Sequence, residues 1–238
     1  MNLSRYKKSS VQKQADFFNA LGSDYIKTVA REYAAIYART FNAINGHVKG
    51  DILDIGSGGI TLFKSCGNHV FYDISPVLLS AHSSWGGSSS LSVCGESTSL
   101  PFISNSFDTI LFHFSIHHFA QETFIKTLNY IKKSIEEAKR VLRPGGKIII
   151  AENTVAEVVE LVESLLFPVV SKSLEILNYP PVFLFSEKRL ASILKAVGCH
   201  IHIVCSFKEP SKLLVSPLKN MRLLLNPVTI KVLVAGNV

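Results

Sequence analysis

Hydrophobic and polar residues alternate with two different periods along this chain, and the change falls near residue 51. Between residues 24 and 44 the apolar side chains recur every three or four positions, which predicts one face of a helix. They are Ile26, Val29, Ala30, Tyr33, Ile36, Tyr37 and Phe41. Another helix is predicted over 11–21, with Ser23 as candidate N-cap of the second helix and Gly46 as its stop. Two helices are therefore expected before the core.

From residue 51 onward the pattern consists of short apolar runs bounded by Gly, Asp and Pro, which is typical of buried strands. Strands are predicted at 52–55, 69–72, 91–94, 109–114, 147–151, 200–207 and 228–235, and helices at 123–142 and 187–197. Strands that alternate with crossovers imply a doubly wound α/β fold with a mostly parallel, seven-stranded sheet. The last two strands are expected to pair antiparallel at the sheet edge.

Two stretches are not needed by such a sheet. Residues 155–170 carry apolar side chains at helical spacing as far as Leu166, where Phe167-Pro168 follows. Tyr179-Pro180-Pro181 comes further on. This pattern indicates a helical lid insertion over about 155–185. Residues 208–226 are a mixed basic and apolar connector interrupted by prolines. The predicted organisation is an N-terminal helical cap, 1–50, and a core, 51–238, that contains the lid.

A glycine-rich loop, Asp54-Ile55-Gly56-Ser57-Gly58-Gly59, follows the first predicted strand. Glycines there let the backbone approach a ligand closely, although an ordinary tight turn has the same composition. Asp73 closes the next strand, and a carboxylate at that place suits a ribose, because it accepts hydrogen bonds from both hydroxyls. A nicotinamide fingerprint would need glycine at position 61, where Thr61 stands, so a dehydrogenase is the weaker interpretation.

Five segments between residues 51 and 152, beginning with the glycine-rich loop, follow one another in a characteristic order. They are Asp54-Ile55-Gly56-Ser57-Gly58, Phe71-Tyr72-Asp73-Ile74-Ser75-Pro76, the stretch 95–108, Ile116-His117-His118-Phe119 and Arg140-Val141-Leu142-Arg143-Pro144-Gly145-Gly146. This series resembles the class I S-adenosylmethionine-dependent methyltransferases, in their UbiE-like (methyltransferase type 11) branch. The resemblance implies a Rossmann-like fold, methyl transfer, and S-adenosyl-L-methionine as cofactor with S-adenosyl-L-homocysteine as product.

The resemblance also assigns residues to the cofactor. They are Asp54, Gly56, Ser57, Gly58, Asp73, Ile74, Glu96, Ser97 and His113. The loop 56–58 would hold the methionine part, Asp73 the ribose and Ile74 the adenine, with Glu96 and Ser97 at the edge of the adenine ring. Asp54 would orient the loop or reach the cofactor's ammonium group through water. The chain departs from the family at Ile60, where the third glycine is replaced.

Three histidines, His113, His117 and His118, lie at or just beyond the fourth predicted strand, on the side where ligands bind in parallel α/β sheets. Methyl transfer from a sulfonium is an in-line displacement, which depends mainly on alignment and exclusion of water. A general base is needed only when the acceptor must lose a proton, and histidine suits that role. The alternative is that these histidines cap the strand or bind backbone groups. No metal is expected, since no carboxylate adjoins them and the cysteines form no CxxC pair.

Aromatic residues in the cap and the lid are the candidates for binding the methyl acceptor. They are Tyr33, Tyr37, Phe167 and Tyr179. Such a lining suggests a small acceptor with an apolar body, methylated at oxygen or carbon. The alternative is that these aromatics merely fasten the lid to the core.

The formal charge of +7 is concentrated at the two ends of the chain. Residues 1–50 hold eight Lys/Arg against three Asp/Glu and residues 207–238 hold five against one, whereas the centre is slightly acidic. This distribution suits an acidic substrate, nucleic acid or an anionic membrane, or simply a solvated surface. A macromolecular methyltransferase and a non-catalytic cofactor-binding protein remain alternatives. A cytoplasmic protein is expected, since no spanning segment or signal peptide is recognised.

Overall fold

The computed structural model describes residues 8–58, 60, 67–80, 90–208 and 228–236. The helices are α1 (Ser10–Glu32), α2 (Ala34–Ile44), α3 (Pro76–Ser80), α4 (Phe124–Val141), α5 (Glu157–Ile176) and α6 (Glu187–Ala196). The strands are β1 (Ile52–Ile55), β2 (His69–Asp73), β3 (Ser90–Cys94), β4 (Phe107–His113), β5 (Leu142–Thr154), β6 (His200–Lys208) and β7 (Thr229–Gly236). Short 3-10 turns lie at Asn45–His47 and Ile116–His118.

The strands form one seven-stranded sheet in the order β3-β2-β1-β4-β5-β7-β6. The first five strands pair in parallel, and β7 runs antiparallel to both β5 and β6. The predicted doubly wound α/β fold with an antiparallel last strand is confirmed. Because the strand order reverses between β1 and β4, their carboxyl ends open a crevice at the centre of the sheet, where ligands bind in such folds.

Apolar side chains cover both faces of the sheet. The larger cluster joins β1, β4 and β5 to helices α4 and α6, with Ile131 and Leu190 fully buried. A smaller cluster packs Ile44 of α2 against Leu111 and Ile149. Helix α4 begins at its N-cap Thr123, whose side chain accepts a hydrogen bond from the Lys126 amide. The sheet is thus rigid at the point where β1 and β4 end.

Several predicted boundaries were wrong. The helix predicted over 24–44 is interrupted at Tyr33. The predicted break between the helices at 11–21 and 24–44 is present as a kink within α1 at Gly22, with φ of 50°. Helix α5 continues through Pro168 to Ile176, because a proline removes only one backbone hydrogen bond from a long helix. Strand β5 begins at Leu142, so the Arg143–Gly146 turn lies inside its range, beside a bulge in β4.

Most of the predicted connector, 209–226, lies outside the described residues, as do residues 61–66 between β1 and β2 and residues 81–89 before β3. The division into a cap at 1–50 and a core at 51–238 stays a prediction. In the described structure α1 contacts α3, and its Lys13 forms an ion pair of 2.6 Å with Glu175 of α5. Helix α1 therefore crosses above the carboxyl ends of the strands.

Candidate active site

A cavity of about 650 Å³ lies between the carboxyl ends of β1, β2 and β4 and the helix α1. The sheet side of its wall includes Ile55, Gly56, Gly58, Tyr72, Asp73, Ile74, Ser97, Phe114 and Ser115. His118, in the 3-10 turn after β4, packs against Phe18 of α1 and belongs with α1 to the opposite wall. Helix α1 contributes Val11, Gln14, Phe18 and Tyr25, and α4 contributes Tyr130. The volume of about 650 Å³ includes space open to solvent, and the mixed polar and apolar wall is typical of sites for small molecules.

The glycine loop forms the floor of the cavity and is fixed to β2. Gly56 has φ of 71° and donates its N–H to the Tyr72 carbonyl at 2.7 Å. A Cβ at this position would lie 2.5 Å from the Cβ of Ser115, so only glycine fits. Gly58, with φ of 60°, donates its N–H to Asp73 Oδ2 at 3.0 Å. The loop backbone is therefore held directly against the cavity.

Asp73 is a buried carboxylate in the cavity wall, with 7% of its surface exposed. It accepts hydrogen bonds from the amides of Gly58, at 3.0 Å, and Ser75, at 2.8 Å. Burial raises the pKa of Asp73 to about 6, and the nearby Asp54 adds to this, while the amide donors oppose it. Each carboxylate oxygen accepts more than one hydrogen bond, so Asp73 retains capacity for hydroxyl donors.

Asp54 lies deeper, at the end of β1, with 2% of its surface exposed. Its Oδ2 is 3.9 Å from His69 Nε2, which is too long for a hydrogen bond. Its Oδ1 has no hydrogen-bond partner within the described part of the chain. A buried acceptor without a donor is costly, and binding sites are places where such atoms occur.

Of the residues expected at the adenine ring, two line the cavity and one lies outside its wall. Ile74 and Ser97 line the cavity. Glu96 is exposed and accepts a hydrogen bond from the Thr98 hydroxyl at 2.9 Å, outside the cavity wall that the described residues form. Tyr130, which sequence reasoning did not select, also lines the cavity. Burial raises the pKa of Tyr130.

Among the three candidate histidines, His118 lies in the cavity wall. Its ring packs edge-on against Phe18 at 4.9 Å between centroids, and its Nδ1 has no hydrogen-bond partner among the residues described. Burial and the neighbouring His117 hold the pKa of His118 well below its ordinary value. The ring is therefore neutral at physiological pH.

His117 and His113 have structural partners. His117 Nδ1 lies 2.7 Å from Oε1 of the buried Glu152, whose other oxygen accepts from the His117 amide. His113 Nε2 lies 2.8 Å from the Thr40 hydroxyl, and burial lowers the pKa of His113 to about 4. Both arrangements match the alternative in which these histidines bind neighbouring groups.

The four aromatic residues predicted to bind the acceptor lie elsewhere. Phe167 is fully buried against Phe183, at 5.2 Å between ring centroids, and Tyr33 is also buried. Tyr37 packs on His113 and Tyr179 on Phe17. None belongs to the cavity wall formed by the described residues, and their assignment to the acceptor stays a prediction. Helical spacing shows that residues share a face but not what that face contacts.

The wall above the cavity is formed instead by Gln14, Phe18 and Tyr25 of α1, which sequence reasoning missed. Their spacing of four and seven residues is the only signal that could have found them, since it places them on one helical side. Gln14 donates from Nε2 to the Pro181 carbonyl at 2.8 Å, whereas its buried Oε1 has no partner in the described structure. Burial raises the pKa of Tyr25, whose ring lies near Gly58 and Asp73.

No group of three or more His, Cys, Asp or Glu side chains with the geometry of a metal site occurs in the described ranges. The same residues contain no helix that is long and apolar enough to cross a membrane. Among the described residues, the cavity wall offers carboxylate, imidazole, amide, phenol and hydroxyl side chains.

Comparisons with known proteins agree with this geometry. A family model described as a methyltransferase domain matches residues 53–150. A demethylmenaquinone methyltransferase of Renibacterium salmoninarum is 37% identical over 60 residues, which is 25% of this chain and 22% of that protein. Another, of Paenarthrobacter aurescens, is 35% identical over 60 residues, or 20% of its length. The matches thus span about a fifth of the length of these curated relatives.

Solved structures extend the likeness to most of the chain. A geranyl diphosphate methyltransferase in complex with GPP and sinefungin has a TM-score of 0.69 at 11% identity, covering 96% of this chain and 100% of its own. The YcgJ protein of Bacillus subtilis has a TM-score of 0.62 at 15% identity, covering 85% and 98%. At such identities these structures show the fold alone. Residues 53–150 thus match a methyltransferase domain, and the similar solved structures show the same fold over most of the chain.

Proposed function

We propose that this protein transfers a methyl group from S-adenosyl-L-methionine to an oxygen or carbon atom of a small, largely apolar molecule. The observation that carries the proposal is a single cavity with two unlike walls. One wall offers backbone amides and the buried carboxylate of Asp73, and the other offers Phe18 with two unpaired polar atoms, Gln14 Oε1 and His118 Nδ1. The first wall suits a cofactor, and the second suits an apolar acceptor with a polar reacting end.

The sheet-side wall fits the cofactor's chemistry. Asp73 would hold the ribose hydroxyls, because its oxygens retain acceptor capacity beyond the Gly58 and Ser75 amides. The loop from Gly56 to Gly58, including Ser57, would lie along the methionine part, since no side chain at Gly56 or Gly58 separates its backbone from the cavity. Asp54 Oδ1, buried without a donor, is available to an ammonium group or to a bridging water.

The adenine would lie against Ile74, with Ser97 and Tyr130 at its edge. Glu96 would reach it from the rim, where its carboxylate is oriented by the Thr98 hydroxyl. The bound cofactor supplies a methyl group on a positively charged sulfur. The enzyme's contribution is then alignment and exclusion of water, which the crossing of α1 above the cavity provides.

On the acceptor side, His118 is our candidate for the catalytic base. Its low pKa keeps the ring unprotonated at neutral pH, so it is able to accept a hydrogen bond from an acceptor O–H and to take that proton as the new bond to the methyl carbon forms. His117, whose ring is fixed by Glu152 and lies 4.0 Å from that of His118, would position it. His113 would support β4 beside the cofactor through Thr40.

Isothermal titration calorimetry with S-adenosylmethionine and S-adenosylhomocysteine tests the cofactor part of the proposal. We expect both to bind the wild type and Asp73→Ala to weaken both by at least about tenfold, the scale of one lost charge-assisted hydrogen-bond pair. Asp24→Ala is the matched control, because Asp24 is an exposed carboxylate on the same protein. Absence of binding to the wild type contradicts the proposed function, and unchanged binding by Asp73→Ala contradicts the site assignment.

A further inference from the structure

Gln14 lies in the cavity wall with its amide group held in one orientation. Its Nε2 donates a hydrogen bond to the Pro181 carbonyl at 2.8 Å, and only 2% of the surface of Gln14 is exposed. A carbonyl oxygen accepts hydrogen bonds but does not donate them, so the Gln14 atom bonded to it must be the amide nitrogen. The other amide atom, Oε1, is therefore fixed as a group that accepts hydrogen bonds and donates none.

Contacts on both sides of this bond hold the same part of α1 against the end of α5 and the residues that follow it. Before Gln14, Lys13 Nζ lies 2.6 Å from Oε1 of Glu175. After it, the ring of Phe17 lies 5.6 Å from that of Tyr179 between centroids. The position of the Gln14 amide is thus set by the fold before any ligand binds, as selective recognition of a small molecule requires.

Gln14 Oε1 is buried and has no hydrogen-bond partner in the part of the chain described. Phe18, four residues further along α1 and on the same side of the helix, packs against the ring of His118, whose Nδ1 is also buried without a partner there. A ligand that lies on Phe18 therefore has polar groups of the wall close to it. A buried acceptor without a donor costs free energy, and a ligand that brings an O–H or N–H group recovers it.

The cavity wall offers little to an anionic acceptor. Its described residues include one carboxylate, that of Asp73, and no lysine or arginine. Burial holds the pKa of His118 well below its ordinary value, so that this ring is neutral at physiological pH. A carboxylate or phosphate beside Gln14 would lose its water without gaining a cation, and would meet the oxygen of the amide. Uncharged donor groups are free of this cost.

We propose that Gln14 determines which acceptors this enzyme takes, by selecting molecules that carry an uncharged O–H or N–H group at or beside the reacting atom. An acceptor in which that group is alkylated would leave Oε1 buried without a donor, and the cost of that loss is the source of the selection. An amide oxygen takes up no proton at neutral pH, so Gln14 selects the acceptor while proton removal is left to His118. The inference rests on the proposed function, because it concerns the choice of methyl acceptor.

Titration calorimetry with two matched probes tests the inference on the full chain saturated with S-adenosylhomocysteine. The probes are 1-naphthol, which has an O–H group, and 1-methoxynaphthalene, which has the same rings without the donor. We expect the wild type to bind 1-naphthol at least about tenfold more tightly. Gln14→Met keeps the length of the side chain without its amide. It should weaken 1-naphthol about tenfold and leave 1-methoxynaphthalene unchanged or bound more tightly, because the buried acceptor is gone.

A third probe tests the selection against charge. The compound 1-naphthoate has the same rings and a carboxylate that is ionised at neutral pH. We expect it to bind the wild type at least about tenfold more weakly than 1-naphthol, because the described wall has no cation for it. Binding of 1-naphthoate as tight as that of 1-naphthol would overturn the requirement for an uncharged group.

Gln12→Met is the matched control, because Gln12 is exposed on the same helix and its Nε2 donates to Asp16 Oδ1 at 2.9 Å. It lies outside the described wall and should bind all three probes as the wild type does. Unchanged binding of S-adenosylhomocysteine by both variants shows that they are folded.

The outcomes separate this inference from the proposed function. If the wild type does not bind S-adenosylhomocysteine, the proposed function fails. If it binds S-adenosylhomocysteine but does not prefer 1-naphthol to 1-methoxynaphthalene, or binds neither, the inference alone is overturned. It is also overturned if Gln14→Met keeps the wild-type preference, or weakens both probes alike, since a loosened α1 would have that second effect.

Discussion

The two walls of the cavity are built in different ways. The sheet-side wall, with Gly56, Gly58 and Asp73, is held by backbone hydrogen bonds to a buried parallel sheet. The wall from α1, with Gln14 and Phe18, is held by side-chain packing and by single bonds such as that from Gln14 to the Pro181 carbonyl. The first wall therefore requires particular residues, whereas the second tolerates other side chains that fill the same space.

The walls also differ in how their polar groups are used. On the sheet side, Asp73 already has two amide donors. On the other side, Gln14 and His118 belong to the cavity wall, and their buried atoms Gln14 Oε1 and His118 Nδ1 have no partner in the part of the chain described. Unpaired buried polar atoms reject ligands that cannot pair with them. Under the proposed function, cofactor binding depends on the backbone of the sheet-side wall, whereas acceptor choice depends on a few side chains of the opposite wall.

The largest effect is expected from Gly56→Ala. The new Cβ would lie 2.5 Å from Ser115 Cβ at a φ of 71°, so the loop must shift away from the cavity. We expect loss of cofactor binding by about a hundredfold or more and destabilisation by about 2–4 kcal/mol, from strain and overpacking together. Calorimetry and urea unfolding measure the two effects.

Gly145→Ala is its control. Gly145 has φ of 76°, but nothing lies within 4 Å of the Cβ that would be added. It shares the backbone strain without the clash, so a cost of about 1 kcal/mol and unchanged cofactor affinity are expected. Equal effects of the two substitutions would show that the close approach of Gly56 to Ser115 is unimportant.

A change of pH is expected to have a smaller effect on cofactor affinity. Since burial raises the pKa of Asp73 from 3.8 to about 6, the carboxyl becomes protonated as the pH falls below about 6 and accepts ribose hydroxyls less well. The dissociation constant of S-adenosylhomocysteine is expected to be flat above about pH 7 and to rise up to about tenfold per pH unit below 6. The Asp73→Asn variant should bind S-adenosylhomocysteine weakly, with a dissociation constant that does not change with pH. A wild-type dissociation constant that stays constant down to pH 5 would contradict a role for the Asp73 carboxylate.

The smallest effect on cofactor affinity is expected from a substitution in the opposite wall, at His118. His118→Phe removes a buried, unpaired Nδ1 and keeps the ring packed on Phe18, so stability should be unchanged or raised by up to about 1 kcal/mol. S-adenosylhomocysteine should bind within about twofold of the wild type, whereas turnover of any acceptor that must lose a proton should fall by about a hundredfold. A large loss of cofactor affinity would place His118 in the cofactor's wall.

Much of the fold and of one wall was predictable from the sequence. The apolar runs along the chain indicate the seven strands, so the type of these elements and their order along the chain follow from local pattern. Asp73 closes a strand next to the glycine loop. The break at Tyr33 was not predictable, because the apolar period continues across it and tertiary contacts decide the break.

The opposite wall was not predictable, for a related reason. Gln14 and Phe18 lie in an ordinary amphipathic helix, and nothing local distinguishes a side that covers a cavity from one that covers a core. Phe167 illustrates the converse, since its aromatic ring suggested a ligand site but is buried in the core. Long-range packing decides such cases.

A crystal structure with bound S-adenosylhomocysteine tests most directly whether the cofactor lies between Asp73, the glycine loop and α1. We expect its ribose hydroxyls within hydrogen-bond distance, about 2.6–3.0 Å, of the Asp73 carboxylate. We expect the methionine part along the loop from Gly56 to Gly58, with its sulfur facing the space that Gln14 and His118 line. A product cofactor bound with its ribose away from Asp73, or with its sulfur turned away from α1, would contradict this placement.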